Sequence, residues 1–206
     1  MVIRKPQCWL VCLYILGTGS VINAFCGLWG LPFLSSIYGL SHEMAGIGIA
    51  IVFIGLAVGC PIIGMLVNTI GQVKKIMILS SFISTVIMAA IIFPLGHYGQ
   101  QWVFLLLFLL GLFGSSYFLA FEKMKHLVHE SVQGIAMALC NTSMTISALI
   151  FQPLIGFVLQ IGHKQIGKAN YSMYTKAEYQ HALLILILTL LMSVISAIYI
   201  TSKKRY

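Results

Sequence analysis

Aspartate is absent from this 206-residue chain, and glutamate occurs only four times, at positions 43, 122, 130 and 178. Charged residues make up 8% of the chain, against roughly a quarter in a soluble domain. So few charges cannot furnish a polar skin, which excludes an ordinary water-soluble globule. No carboxylate pair stands inside an apolar stretch, so acid–base and two-metal catalysis at depth are excluded. No Gly-x-Ser-x-Gly nucleophile occurs, and Gly71-Gln72-Val73-Lys74 supplies only the second half of a phosphate-cradling loop. The reading is therefore not an enzyme, with no cofactor and no metal. The five cysteines, Cys8, Cys12, Cys26, Cys60 and Cys140, lie in apolar segments without a Cys-x-x-Cys, as buried free thiols do. The histidines fall in loops or at helix ends. His126 and His129 stand three apart but have no third ligand.

What is present is apolar: 60% hydrophobic residues, with a mean hydropathy of +1.00. A membrane span needs roughly twenty mainly apolar residues, because the hydrocarbon core is about 30 Å thick. Six segments qualify, approximately Cys8–Phe33, Met44–Val67, Ile76–Leu95, Trp102–Phe121, Gly134–Leu159 and His181–Ile200, all free of Asp, Glu, Lys and Arg. Runs such as Phe104–Leu110 and Leu183–Leu191 do not alternate polar with apolar residues, so helices rather than barrel strands are expected. The expected fold is an all-α integral membrane domain over residues 1–206. The basic start and apolar run of residues 1–20 resemble a signal peptide. Without a small-x-small cleavage site, and with five spans following, the segment reads as a retained first helix.

The net charge of +8 falls in clusters between spans. Arg4, Lys5, Lys74, Lys75, Lys123, Lys125, Lys203, Lys204 and Arg205 fall on one side if the spans alternate. Lys164, Lys168 and Lys176 fall on the other. The positive-inside rule then makes both termini cytoplasmic, in the cell (inner) membrane, and the clustering fits topology rather than nucleic-acid binding.

The helix faces are uneven. At about 100° per residue, Gly134, Ala138, Asn141, Thr145, Ala148, Gln152 and Gly156 of the fifth span share an arc of about 80°. Such a stripe serves close helix packing or a substrate path, and the stripe alone leaves both open. The first span has a weaker version in Gly19, Ser20, Asn23, Gly27 and Gly30. The second aligns Gly48, Gly55 and Gly59, a packing pattern. The third and sixth are nearly featureless and read as the lipid-facing outside of a three-plus-three bundle.

Three stretches carry a resemblance. They are Gly27-Leu-Trp-Gly-Leu-Pro32-Phe-Leu with Tyr38-Gly-Leu-Ser41, then Gly64-Met-Leu-Val-Asn68-Thr-Ile-Gly71-Gln-Val-Lys74-Lys75, and finally Glu130-x-x-x-Gly134-x-Ala136-x-Ala138-x-x-Asn141 through Phe151-Gln152-Pro153-Leu154-Ile155-Gly156. In order and spacing they resemble the C-terminal six-helix half of a major facilitator superfamily transporter. The second stretch is similar to that family's loop Gly-x-x-x-Asp-Arg-x-Gly-Arg-Arg. Here Asn68 replaces the Asp, Thr69 the first Arg, and Gln72 the Arg after the second Gly. The resemblance implies transport of a small solute by alternating access, with the substrate held between two six-helix halves. It implies Asn23, Trp29, Tyr117, Asn141, Thr145 and Gln152 as cavity-facing residues, with Tyr14 a weaker choice. Gly64, Asn68 and Gly71 become gating-loop residues. The partners implied are the lipid bilayer and an unidentified small-molecule substrate; the half length is read first as a fragment from a split or truncated gene, with pairing to a separately encoded six-helix half or to a second copy in a homodimer as the alternatives. The rival reading is a polytopic membrane protein without transport activity, an assembly partner or an inactive remnant.

Overall fold

The structure, a computed structural model, describes residues 2–94, 96, 99–165 and 174–201. All regular secondary structure among them is helical, and six helices are long and apolar enough to cross a membrane: Pro6–Tyr38, His42–Ile70, Val73–Ile92, Gln100–Leu127, Glu130–Gly162 and Lys176–Tyr199. All six expected spans are present, and most run further than their apolar windows. Local chemistry sets their ends. Ser41 accepts from the Met44 N–H to open the second span, and Gly71 closes it in the left-handed region at φ 68. Thr175 and Glu178 form a capping box that starts the sixth span ahead of its apolar run. Leu95, Lys168, Lys203, Lys204 and Arg205, used in the reading of spans and topology, lie outside the described residues.

Neighbouring helices satisfy the carbonyls left over at span ends. At the end carrying Arg4 and Lys5, the Lys5 ammonium donates to the Leu127 carbonyl at 2.8 Å, and the Gln7 amide donates to Tyr199 O at 3.4 Å. At the opposite end the Tyr38 hydroxyl donates to Ile91 O at 2.6 Å and Gln180 to Ile92 O at 2.9 Å. These contacts tie the first span to the fourth and sixth at the basic end, and the third to the first and sixth at the other.

The second and fourth spans make the most extensive pairing, followed by first with fifth and first with sixth, then third with sixth. The third and sixth spans do present lipid-facing stripes, at Leu79, Phe82 and Val86 and at Leu188 and Ile195. Their few hydroxyls, however, point inward: Ser80, Ser81, Ser84, Thr85, Thr189, Ser193 and Ser196 are all buried. Small hydroxyl side chains allow close approach and bond across helices or back to their own carbonyls, so these two helices are packed elements of the bundle. The Ser20 and Thr189 hydroxyls meet at 2.7 Å, and Ser193 Oγ donates to Tyr14 O at 3.2 Å. Gly17 makes that approach possible, since a methyl group there would collide with Ser193 Oγ and the Thr189 carbonyl.

Tyr14 is wholly buried and braces three spans. Its hydroxyl lies 2.8 Å from Ser116 Oγ and donates to Met77 O at 3.3 Å. Ser116 sits where the fourth span breaks between Gln100–Gly114 and Tyr117–Leu127. This is a structural cross-brace. Tyr14→Phe is expected to lower the thermal midpoint in detergent by an amount equivalent to about 1 kcal/mol, with Ser116→Ala costing no more once Tyr14 is already Phe. Melting curves of the single and double variants check this.

Candidate substrate-facing site

The fifth span has two faces. One packs into the bundle through Ala136, Cys140, Ser143, Ser147, Phe151, Ile155 and Leu159, all buried. The other carries the small and polar stripe. Its Gly134, Ala138, Asn141 and Thr145 are exposed, while Ala148, Gln152 and Gly156 are half-buried. The hydroxyls of Thr142 and Thr145 turn back to the carbonyls of Ala138 and Asn141, at 2.9 and 3.1 Å. That removes their own polar cost. No hydrogen bond joins the Asn141 amide to any other described residue, so the fifth span displays an unmatched amide at membrane depth. Within this chain the upper stripe is therefore not a helix-packing surface.

Further along, the stripe turns into a junction with the first span. The Asn23 amide donates to Met144 O at 2.8 Å and to Ser147 Oγ at 2.9 Å. The Gln152 amide donates to Asn23 O at 2.8 Å, and the Trp29 indole N–H donates to Gln152 O at 3.0 Å. Each amide thus bonds the backbone of the opposite helix. Glycine supplies the proximity: a methyl group at Gly156 would lie 3.0 Å from the Trp29 ring, and one at Gly19 3.2 Å from Ser147 Oγ.

The first span is not a uniform α-helix here. Val21–Trp29 forms a π-helix between α-helical stretches Pro6–Ser20 and Gly30–Tyr38. The Gly30 N–H bonds the Phe25 carbonyl, five residues back. Such widened turns are rare and occur preferentially at functional sites. Both Asn23 and Trp29 belong to this stretch. It also dissolves the arc expected on an ideal wheel: Gly19 and Asn23 face the fifth span, Ser20 faces Thr189 on the sixth, and Gly30 lies against Ile49 on the second.

The structure thus joins Asn23, Trp29 and Gln152 and leaves Asn141 and Thr145 on the open face of the same helix. Tyr117 stands apart on the fourth span, its ring against Phe118 and Phe121, with no hydrogen bond or ring contact to the junction among the described residues.

The family model of the Major Facilitator Superfamily matches residues 9–205. The chain belongs to the major facilitator superfamily. No curated protein matches it. Members of this superfamily are transporters and in general not enzymes, so the chain is of the facilitator type and a multi-pass membrane protein.

In this facilitator chain the loop after the second span has a plain structural basis. Gly71 is the left-handed cap, its N–H bonding Val67 O at 2.7 Å. Gly64 faces open space, and Asn68 is exposed. Two features escape sequence reasoning. The first is Ser147, off the stripe and yet bonded to Asn23; the facing Gly19 was the available signal. The second is a small cavity beside the π stretch, lined by residues including Thr18, Val21, Ser84, Gly111 and Gly114. The Ser84 hydroxyl is buried there without a hydrogen-bond partner among the described residues.

Proposed function

We propose that this superfamily member moves a small solute by alternating access, with the open face of the fifth span and the Asn23–Trp29–Gln152 junction forming one wall of the pathway. The exposed, unmatched Asn141 amide on a membrane helix carries the reading, because a polar side chain left toward lipid costs free energy that a wetted cavity removes. In the same proposal the chain works as one six-helix half. A second half, either a separate chain or another copy of this one, supplies the opposite wall, and the basic end with both termini faces the cytoplasm of a cell (inner) membrane. Gly64, Asn68 and Gly71 would act in gating through the loop between the second and third spans.

The test is flux into liposomes reconstituted with the full chain, alone and with a co-expressed six-helix partner, across a panel of labelled sugars, amino acids and organic ions. At least one solute should enter faster than into empty liposomes. Asn141→Leu should cut that rate by about tenfold or more, since loss of one or two polar contacts to solute is worth at least about 1.4 kcal/mol. Melting behaviour should be unchanged, as the Asn141 side chain bonds no other described residue. No solute above the empty control in either preparation would refute transport and leave the non-transporting reading.

A further inference from the structure

Two hydroxyl side chains of the third span close on their own helix. Ser81 Oγ donates to Met77 O at 2.7 Å, and Thr85 Oγ1 donates to Ser81 O at 2.7 Å. A buried hydroxyl inside a membrane helix commonly places its proton in this way. Ser84 does not. It is 2% exposed, and its Oγ meets no hydrogen-bond partner among the described residues. Buried polar side chains without a partner are few in folded proteins, and a bound water is one of their recurrent causes.

Ser84 lines the cavity beside the π stretch, where the first, second, fourth and sixth spans close around it through Thr18, Val52, Leu110 and Leu190. Gly114 marks the same space independently, since a methyl group added there meets nothing within 4 Å. Ile22, Leu56 and Gly114 are its half-buried members, so the cavity opens between the first, second and fourth spans and ends against buried residues. Its volume is about 10 Å³. A single water needs roughly 10–15 Å³ and two to four polar partners. That size excludes an acyl chain and any solute of several heavy atoms. A hard divalent cation takes about six oxygens or more, and the polar side chains of this lining are two, Thr18 and Ser84. The Thr18 hydroxyl donates to Tyr14 O at 2.9 Å, which leaves its oxygen free to accept. Ser84 Oγ can donate. A water molecule fits both, accepting from Ser84 and donating to Thr18. We propose that Ser84 and Thr18 hold one water molecule in this cavity, a polar bridge from the third span to the first at the point where the π stretch begins. The site is independent of whether the chain transports anything.

The experiment is radiolytic hydroxyl labelling of the full chain in detergent, read residue by residue by mass spectrometry. Radicals formed from a bound water oxidise the side chains around it, even where bulk solvent does not reach. Leu110 and Leu190 line the cavity and are 1% exposed, whereas Leu107 and Leu186 are as deeply buried and lie outside the lining. Leu110 and Leu190 should be oxidised several-fold faster than Leu107 and Leu186. Ser84→Ala should bring them down to the rate of that pair. Thr18→Val, nearly equal in shape, should do the same and keeps the assay decisive if the first variant fails to fold. The thermal midpoint supplies a second reading through its sign. Removing a dry, unpartnered hydroxyl in Ser84→Ala would raise the midpoint by about 2–6 °C, whereas removing a hydrated one should leave it unchanged or lower it. Equal labelling of the four leucines overturns the proposal. So does labelling that persists in either variant, or a midpoint that rises in Ser84→Ala.

Discussion

Gly111→Leu is expected to leave little monodisperse protein in detergent, the largest effect of any single change considered for this chain. The second and fourth spans touch backbone to backbone. A methyl group on Gly111 would fall on the Val52 carbonyl, one on Gly55 on the Phe108 carbonyl, and one on Gly59 on the Leu112 carbonyl. The glycines come from both helices and interlock, so neither can slide to relieve the other. Overpacking of a core side chain costs typically about 1–3 kcal/mol where neighbours can shift. Here the obstacle is main chain, and the whole helix must move, which strips contacts along the most extensive pairing in the bundle. Gly111→Ala should already lower the thermal midpoint clearly. The neighbouring Gly114 meets nothing within 4 Å of an added methyl group, so Gly114→Ala should be neutral or slightly stabilising, as alanine favours helix by about 1 kcal/mol. Size-exclusion profiles and melting curves of the three variants check this. A normal profile for Gly111→Leu would refute the interlocked packing.

The second large effect concerns Asn23 and Gln152. Their side chains do not bond each other; each bonds the other helix's backbone. Asn23→Ala removes two donated bonds; Ser147 still donates to Met144 O, so only the Ser147 Oγ loses its donor. Gln152→Leu removes the donor to Asn23 O but keeps the Trp29 bond to the backbone of residue 152. At about 0.6 kcal/mol per bond in a membrane, stability losses should be near 1 kcal/mol or less for each. Because the two residues touch, the double variant should depart from additivity by about 0.5 kcal/mol or more. Transport is expected to behave otherwise. If the junction belongs to the pathway, either single change should reduce flux by about tenfold or more, and the double variant should lose little beyond that. Losses in flux that merely track stability would place the junction outside the pathway.

Much of this architecture is legible in the chain because lipid imposes so few alternatives. Apolar windows locate all six spans; the stripe on the fifth span leaves packing and pathway open, and it is exposed at Asn141 and Thr145 but packed on the first span at Gln152 and Gly156. Span ends extend beyond the windows for local reasons. The fourth continues through Glu122, Lys123 and Lys125 to Leu127, since its carboxylate pairs one turn ahead. The sixth begins at Lys176 because Thr175 and Glu178 cap it. What a helix touches is harder to read. Ser80, Ser81 and Ser84 look incidental in a run of isoleucine and methionine, and only tertiary contact shows them turned inward. The π stretch is silent in sequence: Val-Ile-Asn-Ala-Phe-Cys-Gly-Leu-Trp contains no proline and no charge. Its partners on the fifth span hold it, and those partners are more than a hundred residues away.

That stretch has a consequence for how the first span can be handled as an object. A hydrogen bond closing over five residues rather than four takes up about one extra residue per turn, and an α-helical residue is worth about 100° of rotation. The first span is therefore two rods coupled out of phase. The inner rod is keyed by Tyr14 and Gly17 to the third, fourth and sixth spans, and the outer rod by Phe33, Ser36 and Tyr38 to the neighbours beside them. Trp29 stands at the coupling. Excising a single residue between Val21 and Trp29 would not shorten the span in any useful sense. It would turn one rod against the other and swing Trp29 off Gly156 while every apolar residue stayed apolar.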